Sequence, residues 1–271
     1  PLPIAFNPTK HLTPMTNQKD VLFECEQNLA RITLNRPEVR NALSLSVLEE
    51  LRESFRQISQ DPEIRVVILS GSGDACFCAG ADLKERLTFT EEQVRDFVLK
   101  IRATMNELAA LPQPTIAYLN GHAFGGGLEM ALACDFRVLS PEASVGLTET
   151  SLAIIPGAGG CVRLPSIVGF AKAKELILTA KKLSAKEALE CGLVHKLGSD
   201  AEVQDITQSL MSNGPLAVQA AKAALDGGVG QTVEAALQIE AECYERIVVS
   251  SDRLEALQAF AEKRKPRFEG R

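Results

Sequence analysis

The chain has no tryptophan and only two tyrosines in 271 residues, which argues against stacking of nucleic-acid bases on aromatic platforms as its main business. A basic excess is also missing. Lysine and arginine number 29 against 35 aspartates and glutamates, a formal net charge of -6, which argues against binding of nucleic acid over a general basic surface. No uninterrupted apolar run nears the length a bilayer requires, and a helical membrane span is excluded. The seven cysteines include no CxxC pair, so no metal site is expected. Their odd number and apolar company, as at Cys134 in "ALACD", fit a reducing compartment better than a disulfide framework. Cys76 and Cys78 in "CFC" read as two small buried thiols on one side of a strand. The first twenty residues lack the blocks of a signal peptide and the arginines of a transit peptide. Residues 1–20 are therefore read as a disordered N-terminal segment, with Met15 as the natural start and residues 1–14 as an upstream remnant.

What is present suffices for a large core with a pocket: 45% of the residues are hydrophobic, and a chain of this length buries most of its apolar surface. Val21 to Glu26 and Ala30 to Leu34, separated by "QN", read as a hairpin. Ser44 opens a helix whose apolar positions Leu48, Leu51, Phe55 and Ile58 recur at steps of three and four. "RVVILSG", residues 65 to 71, is short, continuously apolar and β-branched, the signature of a central strand covered on both faces. A helix from about Glu91 to Leu111 is entered through a capping box of Thr90 and Gln93 and is ended by Pro112 and Pro114. "TIAYLNG" and "DFRVLS" supply further strands. After Pro156 the pattern turns helical: Cys161 to Val168, Lys172 to Thr179, Ser184 to Cys191 and three longer helices, with "LVHKL" as a short edge strand. The fold class is α/β: a core over residues 21–195 followed by a helical region over 196–271.

The segment "NGHAFGGGLEMALACD", residues 120 to 135, places three glycines between a strand and an apolar helix. A helix start exposes amide N–H groups at a positively polarised end, and glycine removes the Cβ that would keep a ligand from them. The Lys-Ser/Thr of a P-loop and the spacing of a dinucleotide fingerprint are both missing. The anion suited to this place is an oxyanion, such as the oxygen of an acyl carbonyl becoming an enolate, for which each fixed donor contributes roughly 2.7 to 4 kcal/mol. "FCAGADL", residues 77 to 83, is the second such interruption, and the Ala79 amide is its natural donor. For either stretch alone, tight backbone packing is the competing reading.

Two acids accompany these glycines. Glu129 lies three residues after Gly126 among Leu128, Met130 and Leu132. It either caps a helix or serves as a buried carboxylate with a task. Glu149, in "VGLTETSLAIIPGAGG", is either a polar loop residue or the second member of a pair. Two carboxylates reaching one water can divide its chemistry, one accepting a proton and the other donating to carbon.

"NRPEVRNALS", "FCAGADLKE", "NGHAFGGGLEMALACD", "GLTETSLAIIPGAGGCVRLP" and "AEKRKPRF", in this order and spacing, resemble the crotonase, or enoyl-CoA hydratase/isomerase, superfamily over nearly the whole chain from about Val21. The resemblance implies a spiral of repeated ββα units with a C-terminal helical trimerisation region, assembling as a homotrimer or hexamer. It implies an acyl-CoA thioester substrate and no cofactor, since CoA is part of that substrate. Carried over by position, the amides of Ala79 and Gly126 form the oxyanion hole, Glu129 activates water and Glu149 supplies a proton to Cα. Gly80, Ala81, Asp82, Gly125 and Gly127 surround the substrate. "RPEVRNA" falls where relatives hold the nucleotide end. Lys263, Arg264 and Lys265 either reach phosphates or serve as cations at a helix end. His122 and His195 are read as structural. The implied activity is hydration of a 2-enoyl-CoA, with double-bond isomerisation as the alternative.

Typical short-chain hydratases carry Gln-Pro before the second glutamate, where this chain has Leu147-Thr148. That form looks closer to a methylglutaconyl-CoA hydratase branch, some of whose members bind AU-rich RNA. The setting would be cytoplasmic in a bacterium and the mitochondrial matrix in a eukaryote, within fatty acid or branched-chain amino acid catabolism.

Overall fold

The computed structural model describes residues 19–271; the readings of the first eighteen residues lie outside it. The chain opens with the hairpin of β1 (Val21–Glu26) and β2 (Leu29–Leu34). Its two loop residues, Gln27 and Asn28, have φ of 48° and 70°, the backbone that lets a two-residue turn follow the twist of its strands. Ser44 then caps α1 (Leu45–Gln60) by accepting from the Val47 amide, and Leu48, Leu51, Phe55 and Ile58 are all buried, as their spacing requires.

Three strand pairs follow, and in each the two strands part company. β3 (Val66–Gly71), β5 (Thr115–Leu119) and β7 (Phe136–Leu139) join the hairpin in a six-stranded sheet of order β1-β2-β3-β5-β7-β10, where β10 is Lys196–Leu197. β4 (Cys76–Cys78), β6 (His122–Phe124) and β8 (Ser144–Gly146) join β9 (Leu183–Ser184) in a second, four-stranded sheet. Pairing is parallel throughout except at β1–β2 and β8–β9. Helices follow each pair: α2 (Leu83–Arg86) and α3 (Glu91–Ala109) after the first, α4 (Gly126–Leu132) after the second, and α5 (Gly160–Val168) after the third. The repeated unit is thus strand, strand, helix, with one strand contributed to each sheet. β3 shows why its sequence is continuously apolar: Val66 to Leu69 are all buried, as a parallel strand flanked on both sides requires.

The second sheet is the feature the sequence pattern reveals least, because its strands are only two or three residues long and only "CFC" stands out. The edge strand in "LVHKL" is present as β10, parallel to β7. α6 (Phe170–Leu178) and α7 (Ala185–Glu190) complete the middle of the chain.

The C-terminal region corrects the sequence reading. It holds four helices: α8 (Asp200–Met211), α9 (Pro215–Gly228), α10 (Val233–Val248) and α11 (Ser251–Glu262). The break between α8 and α9 falls at Gly214-Pro215, with Pro215 at the first helical position, where its missing N–H costs nothing. Lys222 of α9 ties this region to the core through Asp135 at 2.7 Å. No described helix is long and apolar enough to cross a membrane.

Candidate active site

A cleft of about 510 Å³ opens between the loop after β4, the face of α3, the glycine start of α4 and the segment from Thr148 to Ala158. Its walls are apolar along α3, with Phe97, Val98 and Ile101, and Leu152 and Ile154 face them. Backbone and carboxylate groups gather on the remaining side.

Each glycine ahead of α4 answers a different constraint. Gly125, the residue before the helix, has φ 51°, and a Cβ on it would come within 3.3 Å of Glu149 Oε1. Gly126 is the first helical residue, so its amide has no intrahelical acceptor, and it opens on the cleft. Gly127 packs directly on the Cys78 carbonyl, which a Cβ would overlap. It does not line the cleft, and the contact it makes is between strand and helix, where its position in the sequence suggests a substrate contact.

The donor expected at Ala79 is also corrected. The Ala79 amide donates to the Arg40 carbonyl at 3.0 Å and is not free for a ligand. Two residues on, Leu43 donates to the Gly80 carbonyl at 2.8 Å and accepts from the Asp82 amide at 2.9 Å, a parallel bridge that leaves the intervening Ala81 amide unused. Ala81 lines the cleft, and its nitrogen lies 3.7 Å from where a Gly126 Cβ would stand. The amides of Ala81 and Gly126 are the pair of donors at one place. Gly80, at φ 95°, makes that approach possible, because a Cβ there would lie 3.2 Å from the Gly126 nitrogen.

Asp82 also differs from expectation. Its carboxylate caps α2 by accepting from the Lys84 and Glu85 amides at 3.1 and 3.3 Å and pairs with Arg36 at 3.2 Å. It fixes the loop and does not line the cleft.

Of the two acids, Glu149 lines the cleft beside Gly125, and Glu129 is joined to its wall through Ala158. Glu129, on α4, is 3% exposed, and its Oε1 accepts from the amides of Ala158 and Gly160, both at 2.8 Å. Oε2 carries no hydrogen bond among the described residues, yet it is not fully enclosed. Burial raises the Glu129 carboxyl above its ordinary value; the Gly160 and Ala158 amides, then Arg163 and Arg102, act against that rise. Glu149 begins a 3-10 turn, is 8% exposed, and lines the cleft. Its buried Oε2 has no partner. Burial, and secondarily the charge of Glu129, pushes its carboxyl up to about 7. A carboxyl that still holds part of its proton at neutrality, near one whose rise is opposed by two amides, is an arrangement that can divide the roles of acid and base.

The sequence pattern left several partners unnoticed. The loop "GAGG" supplies the amides on Glu129, and Arg163, Asn106 and Arg102 surround it. A glycine pair just ahead of a helix was the available signal. Histidines stand apart: His122 Nδ1 accepts from Ser144 and His195 Nδ1 from Arg137, at 3.0 and 3.2 Å, consistent with structural roles. At the far end, Arg264 pairs with Glu255 and Glu262, and Lys263 closes α11 in the left-handed conformation through its backbone N–H.

Residues 24–271 match the family model described as enoyl-CoA hydratase/isomerase. The crystal structure of an enoyl-CoA hydratase from Bacillus anthracis superposes with a TM-score of 0.91 at 48% identity, covering 93% of this chain and 100% of that one. The human mitochondrial enoyl-CoA hydratase domain-containing protein 2 is 42% identical over 254 residues, 91% of this chain and 87% of that protein. Human mitochondrial methylglutaconyl-CoA hydratase is also 42% identical, over 257 residues, 92% of this chain and 76% of that protein.

Proposed function

The chain belongs to the enoyl-CoA hydratase/isomerase family, with its crotonase-like fold, and we propose that within it this protein is a hydratase that adds water syn across the α,β double bond of a 2-enoyl-CoA thioester. The observation that carries this reading is the pairing of two buried acids, Glu149 lining the cleft beside Gly125 and Glu129 bonded to the cleft-lining Ala158, with two uncommitted amides at the same cleft. A double-bond shift needs one base that moves a proton between carbons, whereas hydration uses two groups on one water.

In this mechanism the thioester carbonyl accepts from the Ala81 and Gly126 amides, which stabilise the oxygen as it gains enolate charge. Glu129, oriented by the amides on its Oε1, takes a proton from water through Oε2 while the water oxygen bonds Cβ. Glu149, protonated, gives its proton to Cα. The two carboxyls exchange states over the reaction and return by proton exchange with solvent. No redox step is involved. The apolar side chains of α3 receive the acyl group.

A narrower substrate is also supported. The similarity to methylglutaconyl-CoA hydratase, together with Arg86 and Arg102 at the cleft, favours including an acyl group with a distal carboxylate. We further read the side chains exposed on the C-terminal helices, Leu225 at 75%, Val233 at 78% and Phe260 at 86%, as a surface for assembly into homotrimers or hexamers, which light scattering would measure.

The test is loss of the conjugated enoyl-thioester absorbance of crotonyl-CoA, with Glu129→Gln and Glu149→Gln alongside and 3-methylglutaconyl-CoA and a 3-enoyl-CoA as further substrates. Hydration by the wild type, and a fall of roughly a hundredfold or more in each variant, is the expected result. Turnover of the 3-enoyl-CoA alone, or variants as active as wild type, would overturn the reading.

A further inference from the structure

We propose that Arg163 is a positioning residue for Glu129: its guanidinium, strung between the Asn106 side chain of α3 and the Ala158 carbonyl, fixes the loop whose amides grip the carboxylate.

The connection can be followed atom by atom. Arg163 Nη2 donates to Asn106 Oδ1 at 2.8 Å, and Nη1 donates to the Ala158 carbonyl at 3.1 Å. The same residue, Ala158, donates its own amide to Glu129 Oε1 at 2.8 Å, as does Gly160. One residue earlier in the loop, the Gly157 carbonyl accepts from Arg102 Nε at 3.1 Å. Two arginines from different helices therefore hold the carbonyls of a segment whose amides hold the acid. The Gly157 carbonyl and the Ala158 amide belong to one peptide, so Arg102 strengthens that amide's bond to Glu129 by polarising it, while Arg163 holds the next peptide in place between the two amides that grip the acid.

The glycines of "GAGG" fit this arrangement. Gly159 has φ 113°, and a Cβ there would overlap the Arg163 guanidinium, while a Cβ on Gly160 would stand 3.0 Å from Glu129 Oε1. One glycine makes room for the arginine and the next for the acid. Arginine suits the task because its planar fork bonds two acceptors at fixed geometry, which a lysine cannot reproduce.

The charged and titratable groups that bear on Glu129 are Arg163 from α5, Arg102 from α3, Glu149 from the 3-10 turn and the Cys161 thiol. Arg163 and Arg102 favour the ionised carboxylate, and Glu149 opposes it. Removing Arg163 therefore raises the pH at which Glu129 ionises and loosens its placement.

The expected effect on turnover rests on the hydratase reading, but the effect on the carboxylate does not, so the experiment has two arms. Protein labelled with carboxyl-13C glutamate is titrated by NMR, the Glu129 signal being assigned by its loss in Glu129→Gln, and the kinetics of crotonyl-CoA hydration are measured in parallel. In Arg163→Met the Glu129 titration should move to higher pH, and kcat should fall roughly tenfold or more with KM within roughly twofold. Arg163→Lys should return the titration toward wild type and leave kcat low, because it restores charge without the fork. A folded Arg163→Met whose Glu129 titrates as in wild type, with kcat within roughly twofold, would overturn the proposal. If Arg163→Met does not fold, Asn106→Ala, which frees one end of the guanidinium, decides by the same two readouts. A wild type that fails to hydrate crotonyl-CoA would count against the hydratase reading, and the NMR titration then decides the role of Arg163 alone.

Discussion

Glu149→Gln should flatten the dependence of stability on pH while it removes activity. The Glu149 carboxyl is pushed up from 4.5 to about 7 in the folded protein, first by burial and then by the charge of Glu129. Below pH 4.5 it is protonated whether the chain is folded or not. Between 4.5 and about 7 the unfolded chain releases that proton and the folded one retains it, so the unfolded state gains relative stability as pH rises. Above about 7 the penalty is constant. The interval corresponds to about 3 kcal/mol, a large share of the stability of an ordinary domain.

Glutamine cannot titrate, so the stability of the variant minus that of wild type should grow by about 3 kcal/mol across this interval and then level off. The new amide group lacks a partner for its N–H, and that cost, about 1 to 3 kcal/mol, offsets both ends of the curve equally. Glu129 is present in both proteins, and its own contribution largely cancels in the difference. The assay is urea unfolding followed by far-UV circular dichroism at a series of pH values and one fixed protein concentration, because assembly would add a concentration term. A difference that stays level from pH 4.5 to above 7 would refute the reasoning, since it would mean that the folded Glu149 titrates like a solvated acid.

Three other outcomes follow from the same geometry. If Glu149 is the proton donor, kcat/KM falls as pH rises through about 7, where its carboxyl ionises in the free protein; a pH–rate profile checks this. Cys78 and Cys134 are buried thiols pushed up to about 12 by that burial, so iodoacetamide at mildly alkaline pH should leave both unmodified in the folded protein while labelling exposed Cys25, as mass spectrometry would report. Lys222→Met should destabilise the protein by about 3 kcal/mol in thermal or urea unfolding, because Asp135 loses a partner at 2.7 Å while still accepting from the Thr115 amide and hydroxyl.

The parts of the fold legible in the sequence are those with a repeating local signal. The spacing of Leu48, Leu51, Phe55 and Ile58 marks the buried face of α1, and Thr90 with Gln93 marks the start of α3 through both bonds of a capping box. The second sheet escapes such a reading because β4, β6, β8 and β9 are too short for a period to register. Their partners come from segments far apart in the chain. In the site, the acids and the glycines were visible as residue types in unusual company. Which amide is free was not, because that depends on where Arg40 and Leu43 spend their hydrogen bonds. Nothing in "FCAGADL" distinguishes the committed amide of Ala79 from the open one of Ala81. The same limit hid Arg163, whose partner Asn106 lies on a helix 57 positions earlier.

Adjacent glycines at the start of α4 should separate folding from function. A Cβ on Gly127 would overlap the backbone carbonyl of Cys78. Backbone held in a strand cannot move aside as a side chain can, so Gly127→Ala should destabilise the protein by about 3 kcal/mol or more, or prevent folding. A Cβ on Gly126 instead meets the ends of two flexible side chains, Ile101 Cδ1 at 3.2 Å and Leu43 Cδ1 at 3.3 Å. These can shift by the few tenths of an ångström required, and alanine returns up to about 1 kcal/mol of helix preference over glycine. Gly126→Ala should therefore melt within a few degrees of wild type. Its added methyl, however, stands 3.7 Å from the Ala81 nitrogen, in the space a carbonyl oxygen needs to reach both amides. Hydration should fall roughly a hundredfold, the order expected when one donor of such a pair is lost. A Gly126→Ala protein with undiminished turnover would show that the oxygen binds elsewhere. A Gly127→Ala protein with undiminished stability would show that β4 and α4 do not pack as tightly as their backbone contact requires.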